Sequence, residues 1–249
     1  SEKAGSIVGA SAAQHLKKVV LELGGSDAYI ICDDADIELA ANQIILSRLS
    51  NTGQVCIAAK RILATRATLD KLEPLILDKI SDYQMGDPQD PNCKFGPMAR
   101  KDLRDELHQQ VLKSISEGAE LVRGGEIPDR QGFYYPATVL RNVKPGMEAF
   151  DRELFGPVVT FIEVDNLEHA IELANQSKYG LGAAIFTQDL KKGEQIAREQ
   201  LQAGACFVNG LVGSDPRLPF GGIKLSGYGR ELSQEGIREF VNTKTIVVK

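Results

Sequence analysis

The sequence predicts an α/β protein in which a mostly parallel sheet is flanked by helices. Short β-rich apolar segments alternate with longer amphipathic segments along the chain, as expected when helices cross over a sheet between parallel strands. The 249 residues are 43% hydrophobic, which is enough for one large α/β domain with its own core. No internal repeat or low-complexity linker interrupts the pattern.

The predicted helices are amphipathic segments of about ten residues or more. In residues 37–50, apolar side chains recur three or four positions apart, so one face would meet the core, and Asp36 is a favourable N-cap. The first helix follows a glycine-containing turn at residues 1–5. Helices are predicted at residues 6–18, 37–50, 69–83, 101–117, 167–177 and 190–199.

The predicted strands are short apolar or β-branched runs bounded by turn residues. The last of them alternates in the manner of an edge strand, which would be a liability if it stayed unpaired in a monomer. Strands are predicted at residues 19–21, 28–32, 62–64, 119–122, 134–140, 158–164, 183–186, 205–208 and 240–248.

Charge and composition exclude several functions. A net charge of −5 and a pI of about 5.4 argue against nucleic-acid binding. No apolar run approaches the roughly 18 residues of a membrane span, and no basic segment followed by an apolar one opens the chain. Four cysteines without a CxxC spacing indicate reduced thiols, and three scattered histidines make a metal site unexpected. We therefore expect a soluble, cytoplasmic protein.

Cys56 is the candidate nucleophile. It follows the polar turn at residues 51–54, which suits a partly exposed side chain, and the apolar Val55 and Ile57 would keep water scarce. A thiol reacts well near backbone N–H groups that favour the thiolate and near a carboxylate that can move a proton. The alternative is a buried structural cysteine, which is the role we expect for the other three cysteines, Cys32, Cys93 and Cys206.

Glu22 is the candidate general base. It ends an apolar strand, where a carboxylate is uncommon unless it is paired or functional, and partial burial would raise its pKa toward neutrality. The two glycines after it would let another molecule approach the backbone closely. The alternative is a carboxylate in water at the rim of the fold.

Four segments carry a resemblance to the aldehyde dehydrogenase superfamily. Their order is that of the family's C-terminal, catalytic part, and the resemblance covers residues 1–249. It is greatest for the succinate-semialdehyde dehydrogenase branch, through residues 22–27 and 214–220. The four segments are ELGG at residues 22–25, GQVC at 53–56, ELFGPV at 153–158 and PFGGIKLSG at 219–227.

The resemblance implies NAD(P)-dependent oxidation of an aldehyde to an acid. Cys56 would attack the aldehyde, hydride would leave to nicotinamide, and Glu22 would activate the water that hydrolyses the thioester. The Cys56 N–H would be one oxyanion donor. The family's second donor, an asparagine, belongs upstream of these residues.

The resemblance also implies that Ser1, Leu23, Glu153 and Phe155 bind NAD or NADP. Glu153 would hydrogen-bond the nicotinamide ribose with Phe155 packed beside it, and the first helix would direct its N-terminus at the pyrophosphate. Without the resemblance, an ordinary helix start is the better explanation of Ser1, and an ordinary loop carboxylate explains Glu153 equally well. The choice between NAD and NADP stays open.

The substrate implied is succinate semialdehyde or another small aldehyde. Ser214 and Arg217 would hold a substrate carboxylate, since an anion needs a cation or hydroxyl donors, and Ile57 and Phe220 would line the site. Some members of this branch carry an arginine six positions before the nucleophile. Ser50 stands there, and Arg48 is expected to point elsewhere.

The resemblance divides the chain into three parts. Residues 1–24 would be a remnant of the cofactor domain, 25–225 the catalytic domain, and 226–249 a return to the cofactor domain with a strand that joins a homo-oligomer, as dimer or tetramer. We expect a truncated chain that binds cofactor weakly or not at all. Two other hypotheses are a cofactor-free thiol esterase and a catalytically silent assembly module.

Overall fold

The computed structural model describes residues 1–249, which form eight α-helices and eleven strands. The helices are α1 (Glu2–Gln14), α2 (Ile37–Leu49), α3 (Arg66–Ile80), α4 (Lys101–Ser116), α5 (Glu148–Asp151), α6 (Leu167–Asn175), α7 (Leu190–Glu199) and α8 (Ser233–Glu239). The strands are β1 (Leu21–Glu22), β2 (Asp27–Ile31), β3 (Ala59–Ala64), β4 (Glu120–Arg123), β5 (Thr138–Arg141), β6 (Val158–Glu163), β7 (Tyr179–Gly180), β8 (Gly182–Phe186), β9 (Ala205–Val208), β10 (Ile223–Lys224) and β11 (Gly227–Tyr228).

A seven-stranded sheet in the order β4-β5-β6-β3-β2-β8-β9 forms the centre of the molecule. Every neighbouring pair in it is parallel except β4 with β5, which are antiparallel at one edge. The central strands are fully buried, as is usual for parallel strands covered on both faces. The predicted α/β class with a mostly parallel sheet flanked by helices is confirmed.

The strands direct alternate side chains into two separate cores. Ala28 and Ile30 of β2 join the core under α4, α6 and α7, whereas Tyr29 and Ile31 join the core under α2 and α3. This alternation follows from the two-residue period of a strand. The fold therefore has three layers, with helices on both faces of the sheet.

Two short antiparallel ribbons lie outside this sheet. In one, β1 pairs with β11, so that Glu22 lies opposite Gly227. In the other, β7 pairs with β10. The ribbons bring the segment 219–228 next to the segment that contains Glu22.

No helix of the structure is both long enough and apolar enough to cross a membrane.

Several predicted boundaries are wrong. The first helix begins at Glu2 rather than at residue 6, because Ser1 is its N-cap, and it ends before Leu16, which has a left-handed φ of 53°. The strand predicted at 134–140 is confined to Thr138–Arg141, after Pro136, whose nitrogen cannot donate to a ladder. The terminal segment predicted as a strand at 240–248 forms no strand, because no sheet edge in this chain pairs with it.

Candidate active site

The candidate site lies where the loops before four neighbouring parallel strands meet. Glu22 precedes β2, Cys56 precedes β3, Glu153 precedes β6, and β8 follows the segment Tyr179–Gly180. Since β6, β3, β2 and β8 are adjacent and parallel, their amino ends share one edge of the sheet. Glu22 and Glu153 are 131 positions apart in the sequence, yet both lie at this edge of the sheet.

The turn before Cys56 has an unusual backbone. Asn51, Thr52 and Gly53 have φ values of 49°, 56° and 72°, so three consecutive residues are left-handed. Thr52 is β-branched, and such a residue at positive φ is strained by about 1–3 kcal/mol. Its side chain is buried and its hydroxyl donates to the Gly96 carbonyl at 3.3 Å. Gln54 holds the other side of the turn by accepting from the Ala99 N–H at 3.0 Å.

Cys56 is half-buried directly after this turn. Burial raises the pKa of its thiol, and the negative charges of Asp27 and Glu153 raise it further. The Lys60 ammonium and the Ile57 N–H lower that pKa. Burial has the largest effect and disfavours the thiolate, while the surrounding charges act on it in opposite directions.

Gly25 permits the close approach of the Glu22 segment to Cys56. A Cβ added at Gly25 would lie 2.6 Å from the Cys56 carbonyl oxygen, a distance that side chains do not adopt. The absence of a side chain at Gly25 is thus needed for this segment to pack against the Cys56 backbone.

Glu22 has the electrostatic environment of a general base. Its Oε1 atom is buried without a hydrogen-bond partner, and a Cβ at Gly221 would lie 2.8 Å from it. Burial raises the pKa of Glu22 to about 7, the nearby Glu231 raises it as well, and Arg230 opposes them. A carboxyl of this kind exchanges a proton near neutral pH.

Glu153 faces inward in this structure. Its Oε1 accepts a hydrogen bond from the Gly25 N–H at 3.1 Å and lies 3.2 Å from the Lys60 ammonium. Its other carboxylate oxygen lies against Gly24. The Glu153 carboxylate therefore contacts the Glu22 segment directly, and Lys60 joins it to the Cys56 segment.

Arg48 fixes the segment that carries Glu153. Its guanidinium is fully buried and donates to the carbonyls of Val158 and Leu154, each at 2.6 Å, and to that of Gly156. Burial lowers the pKa of Arg48 to about 9, opposed by the charge of Glu153. The Arg48 side chain points toward the backbone of residues 154–158.

Three of the four residues predicted to bind the cofactor line one cleft. Ser1, Glu153 and Phe155 surround a space of about 330 Å³ together with side chains of α4, a size at the lower end of ligand pockets. Leu23 lies in a neighbouring cleft of about 430 Å³ along α1. The N-terminus of α1 opens at Ser1, where free N–H groups favour an anion.

The residues predicted to bind substrate are in different environments. Phe220 is buried, and Ile57 is partly buried against the α2 side of the core. Ser214 is exposed, and the Arg217 side chain is 87% exposed and forms a forked pair with Asp215 at 2.6 Å. The Arg217 guanidinium, which was predicted to hold a substrate carboxylate, is therefore bound to the Asp215 carboxylate in this structure.

The sequence analysis missed several residues of the site. Ser226 is fully buried; its hydroxyl donates to the Gly24 carbonyl at 2.7 Å and accepts from the Gly180 N–H at 3.1 Å. Asp27 and Lys60 are also buried beside Cys56. The available signal was the pair Lys60-Arg61 inside an apolar strand, because buried cations require partners.

Fold and site together define an α/β protein with a cysteine and a near-neutral carboxyl held at the amino ends of adjacent parallel strands. The model of the aldehyde dehydrogenase family matches residues 1–246. The chain belongs to the aldehyde dehydrogenase family.

Known relatives agree with this assignment. The chain is 49% identical over 246 residues to the succinate semialdehyde dehydrogenase [NAD(P)+] Sad of Escherichia coli, covering 99% of the chain and 53% of that protein. A structure of succinic semialdehyde dehydrogenase from Streptococcus pyogenes in complex with NADP+ superposes with a TM-score of 0.96 at 38% identity, covering 100% of the chain and 54% of the other.

A second solved structure is the betaine aldehyde dehydrogenase of Staphylococcus aureus in complex with NAD+. It has a TM-score of 0.92 and 35% identity, over 96% of this chain and 48% of that one. The chain thus spans about half the length of the relatives that it matches.

Proposed function

We propose that this chain carries the catalytic half of an NAD(P)-dependent aldehyde dehydrogenase, with Cys56 as nucleophile and Glu22 as general base. The observation that supports it most is the convergence of the Cys56 and Glu22 segments at one sheet edge, where Gly25 contacts the Cys56 carbonyl. The pKa of Glu22, raised to about 7, suits a base at neutral pH.

The first step is addition of the Cys56 thiolate to the aldehyde carbon. A C–S bond forms, and the carbonyl oxygen becomes an oxyanion that the Cys56 backbone N–H can stabilise. Loss of hydride from the same carbon leaves a thioester on Cys56. The second oxyanion donor is not assigned to any of residues 1–249.

The second step is hydrolysis of the thioester. Glu22 takes a proton from water, the resulting hydroxide attacks the thioester carbon, and the C–S bond breaks to release the acid and the Cys56 thiolate. An unpartnered, partly buried carboxylate has the free acceptor that this step requires.

The residues around the cleft at Ser1 suit a nicotinamide dinucleotide. Phe155, 37% exposed, offers an apolar face, Glu153 offers a carboxylate, and the N-terminus of α1 offers free N–H groups. When bound, this group supplies the acceptor for the hydride. Glu153 would have to release Lys60 or Gly25, or use its second oxygen, in order to bind ribose hydroxyls.

Succinate semialdehyde is the substrate that we propose. The support is the name of the E. coli and S. pyogenes relatives. Ser214 and Arg217 could hold the substrate carboxylate only if the Arg217 guanidinium left Asp215. We further propose that the protein is a cytoplasmic homo-oligomer that assembles through residues 240–248, whose apolar side chains are exposed in the single chain. We also propose the division of the chain into three parts, with boundaries after residues 24 and 225.

The test follows reduction of NAD or NADP by absorbance with succinate semialdehyde and other small aldehydes, on residues 1–249 and on the full-length native protein. Hydrolysis of an activated ester is measured in parallel with Cys56→Ala. We expect ester hydrolysis to disappear in the variant and the native protein to reduce cofactor. Ester hydrolysis without any cofactor reduction would instead favour a thiol esterase, and absence of both reactions would favour an assembly module.

A further inference from the structure

Lys60 is a buried cation bound to three oxygen atoms next to the nucleophile. Only 3% of its side chain is exposed. Its ammonium donates to the carbonyls of Cys56 at 2.7 Å and Val55 at 2.9 Å, and it lies 3.2 Å from Glu153 Oε1. An ammonium has three N–H donors, so each of them has a partner in this structure.

Burying an ammonium costs several kcal/mol unless its partners compensate. Strand β3 carries apolar residues at Ala59, Ile62, Leu63 and Ala64, and one further buried cation, Arg61, whose guanidinium donates to the carbonyls of Ser26, Leu173 and Ala174. Lys60 turns back toward a carbonyl four residues before it in the chain. A functional need for a positive charge beside Cys56 explains the burial of the Lys60 ammonium better than packing does.

The charged groups around Lys60 come from several elements. Glu153 precedes β6, Asp27 begins β2, Arg48 lies on α2, and Cys56 belongs to its own segment. Burial lowers the pKa of Lys60, and Arg48 lowers it further, whereas the carboxylates of Glu153 and Asp27 oppose this by favouring the ammonium. Lys60 is the cation whose charge opposes the effect of Asp27 and Glu153 on the Cys56 thiol.

We propose that Lys60 is a positioning residue for Cys56: it clamps the nucleophile's segment to Glu153 and favours the thiolate electrostatically. This inference rests on the proposed function, since it assigns Lys60 to the reaction of that cysteine. It further implies that the charge on Glu153 is coupled to Cys56 through one ammonium group. Removal of the Glu153 charge should therefore change the reactivity of Cys56.

The experiment measures alkylation of Cys56 by iodoacetamide between pH 6 and pH 10, quantified by peptide mass spectrometry with Cys93 as an internal reference. The variants are Lys60→Met, Glu153→Gln and the double variant, and the control is Lys101→Met, which removes an exposed lysine paired with Asp105. Thermal unfolding of each variant identifies any that fail to fold.

Lys60→Met should slow alkylation of Cys56 severalfold at pH 8 and move the profile to higher pH. Glu153→Gln should accelerate it and move the profile to lower pH, so the inference stays testable if Lys60→Met is unfolded. The double variant should lie between the two single variants, and the control should match the unsubstituted protein.

The role of Lys60 alone would be overturned if Lys60→Met and Glu153→Gln fold and their alkylation profiles are unchanged, while Cys56 remains reactive and essential for ester hydrolysis. Ester hydrolysis that stays intact in Cys56→Ala would overturn the proposed function and this inference together.

Discussion

The backbone N–H of Gly25 donates a hydrogen bond of 3.1 Å to Oε1 of Glu153, 128 positions further along the chain. This bond joins the segment of Glu22, the proposed general base, to the segment proposed to bind nicotinamide ribose. A Cβ added at the same glycine would meet the Cys56 carbonyl. Gly25 is thus the point at which the segments of Glu22, Cys56 and Glu153 meet.

Gly25→Ala should therefore impair the reaction more than the fold. The added methyl group must displace the Cys56 carbonyl or the Gly25 backbone, because the contact is with backbone rather than with a flexible side chain. A shift of about 1 Å at a reacting group can lower turnover about 100-fold. The measurement is ester hydrolysis, compared with thermal unfolding of the same variant.

The matched control is Gly210→Ala, since an added Cβ at Gly210 meets no heavy atom within 4 Å. This variant should keep its ester hydrolysis and its unfolding temperature. If Gly25→Ala hydrolyses esters as fast as Gly210→Ala, the close approach at Gly25 is not part of the catalytic geometry.

Glu22→Gln should block release of the acyl group and leave its formation intact. Since loss of a general base costs about 10² to 10⁴ in rate, a single burst of product from an activated ester should be followed by slow turnover. In the unsubstituted protein, turnover should rise with pH through about 7, because Glu22 must be ionised to accept a proton. Stopped-flow absorbance separates the burst from the steady state.

The neighbouring carboxyl provides a second test of the same base. Glu231 raises the pKa of Glu22, so Glu231→Gln should move the rising limb of the turnover profile to lower pH. A profile that stays in place would mean that another group titrates in that limb.

The candidate residues of the site could be named from the sequence, whereas the contacts among them could not. Cys56 and Glu22 were recognisable from a polar turn and from a carboxylate at the end of an apolar strand, which are local features. Their roles stay predictions, although the geometry supports them. Lys60 and Ser226 act through partners far away in the chain, which local patterns do not show.

The elements of the fold were likewise predicted accurately only where the sequence signal is local. Helices α4 and α7 were predicted within one residue because their apolar residues recur regularly. The two-residue strands β1 and β7 depend on partners more than 40 residues away, so no local signal defines their bounds. Residues 240–248 form no strand in the single chain, and their predicted pairing with the sheet of a neighbouring subunit stays a prediction.

Arg48→Met should destabilise the protein strongly. The substitution removes a charged donor from the Val158 carbonyl and from the Leu154 and Gly156 carbonyls, which also accept from the Gly156 and Val158 N–H groups. A hydrogen bond from a charged group is typically worth about 1.5–3 kcal/mol, so the loss of three should cost several kcal/mol. Urea unfolding measures the change in the free energy of unfolding. Arg198→Ala, which removes an exposed ion pair with Glu194, should cost less than about 1 kcal/mol.

Asp27→Asn should change how stability depends on pH. Asp27 is completely buried, its Oδ2 atom has no hydrogen-bond partner, and burial raises its pKa to about 7, against the charges of Lys60 and Arg61. Because the folded state holds this proton more tightly than the unfolded chain, the associated stability is complete below about pH 4 and is lost as pH rises through about 7.

Asparagine has no proton to lose, so the free energy of unfolding of Asp27→Asn, relative to the unsubstituted protein, should increase between pH 4 and pH 8. Each unit of pKa difference corresponds to about 1.4 kcal/mol, and contributions from Glu22 cancel because both proteins contain it. Urea unfolding at the two pH values measures the difference, with the exposed Asp82→Asn as control. A relative stability that does not change with pH would show that Asp27 is ionised throughout this range, and that Lys60 and Arg61 outweigh its burial.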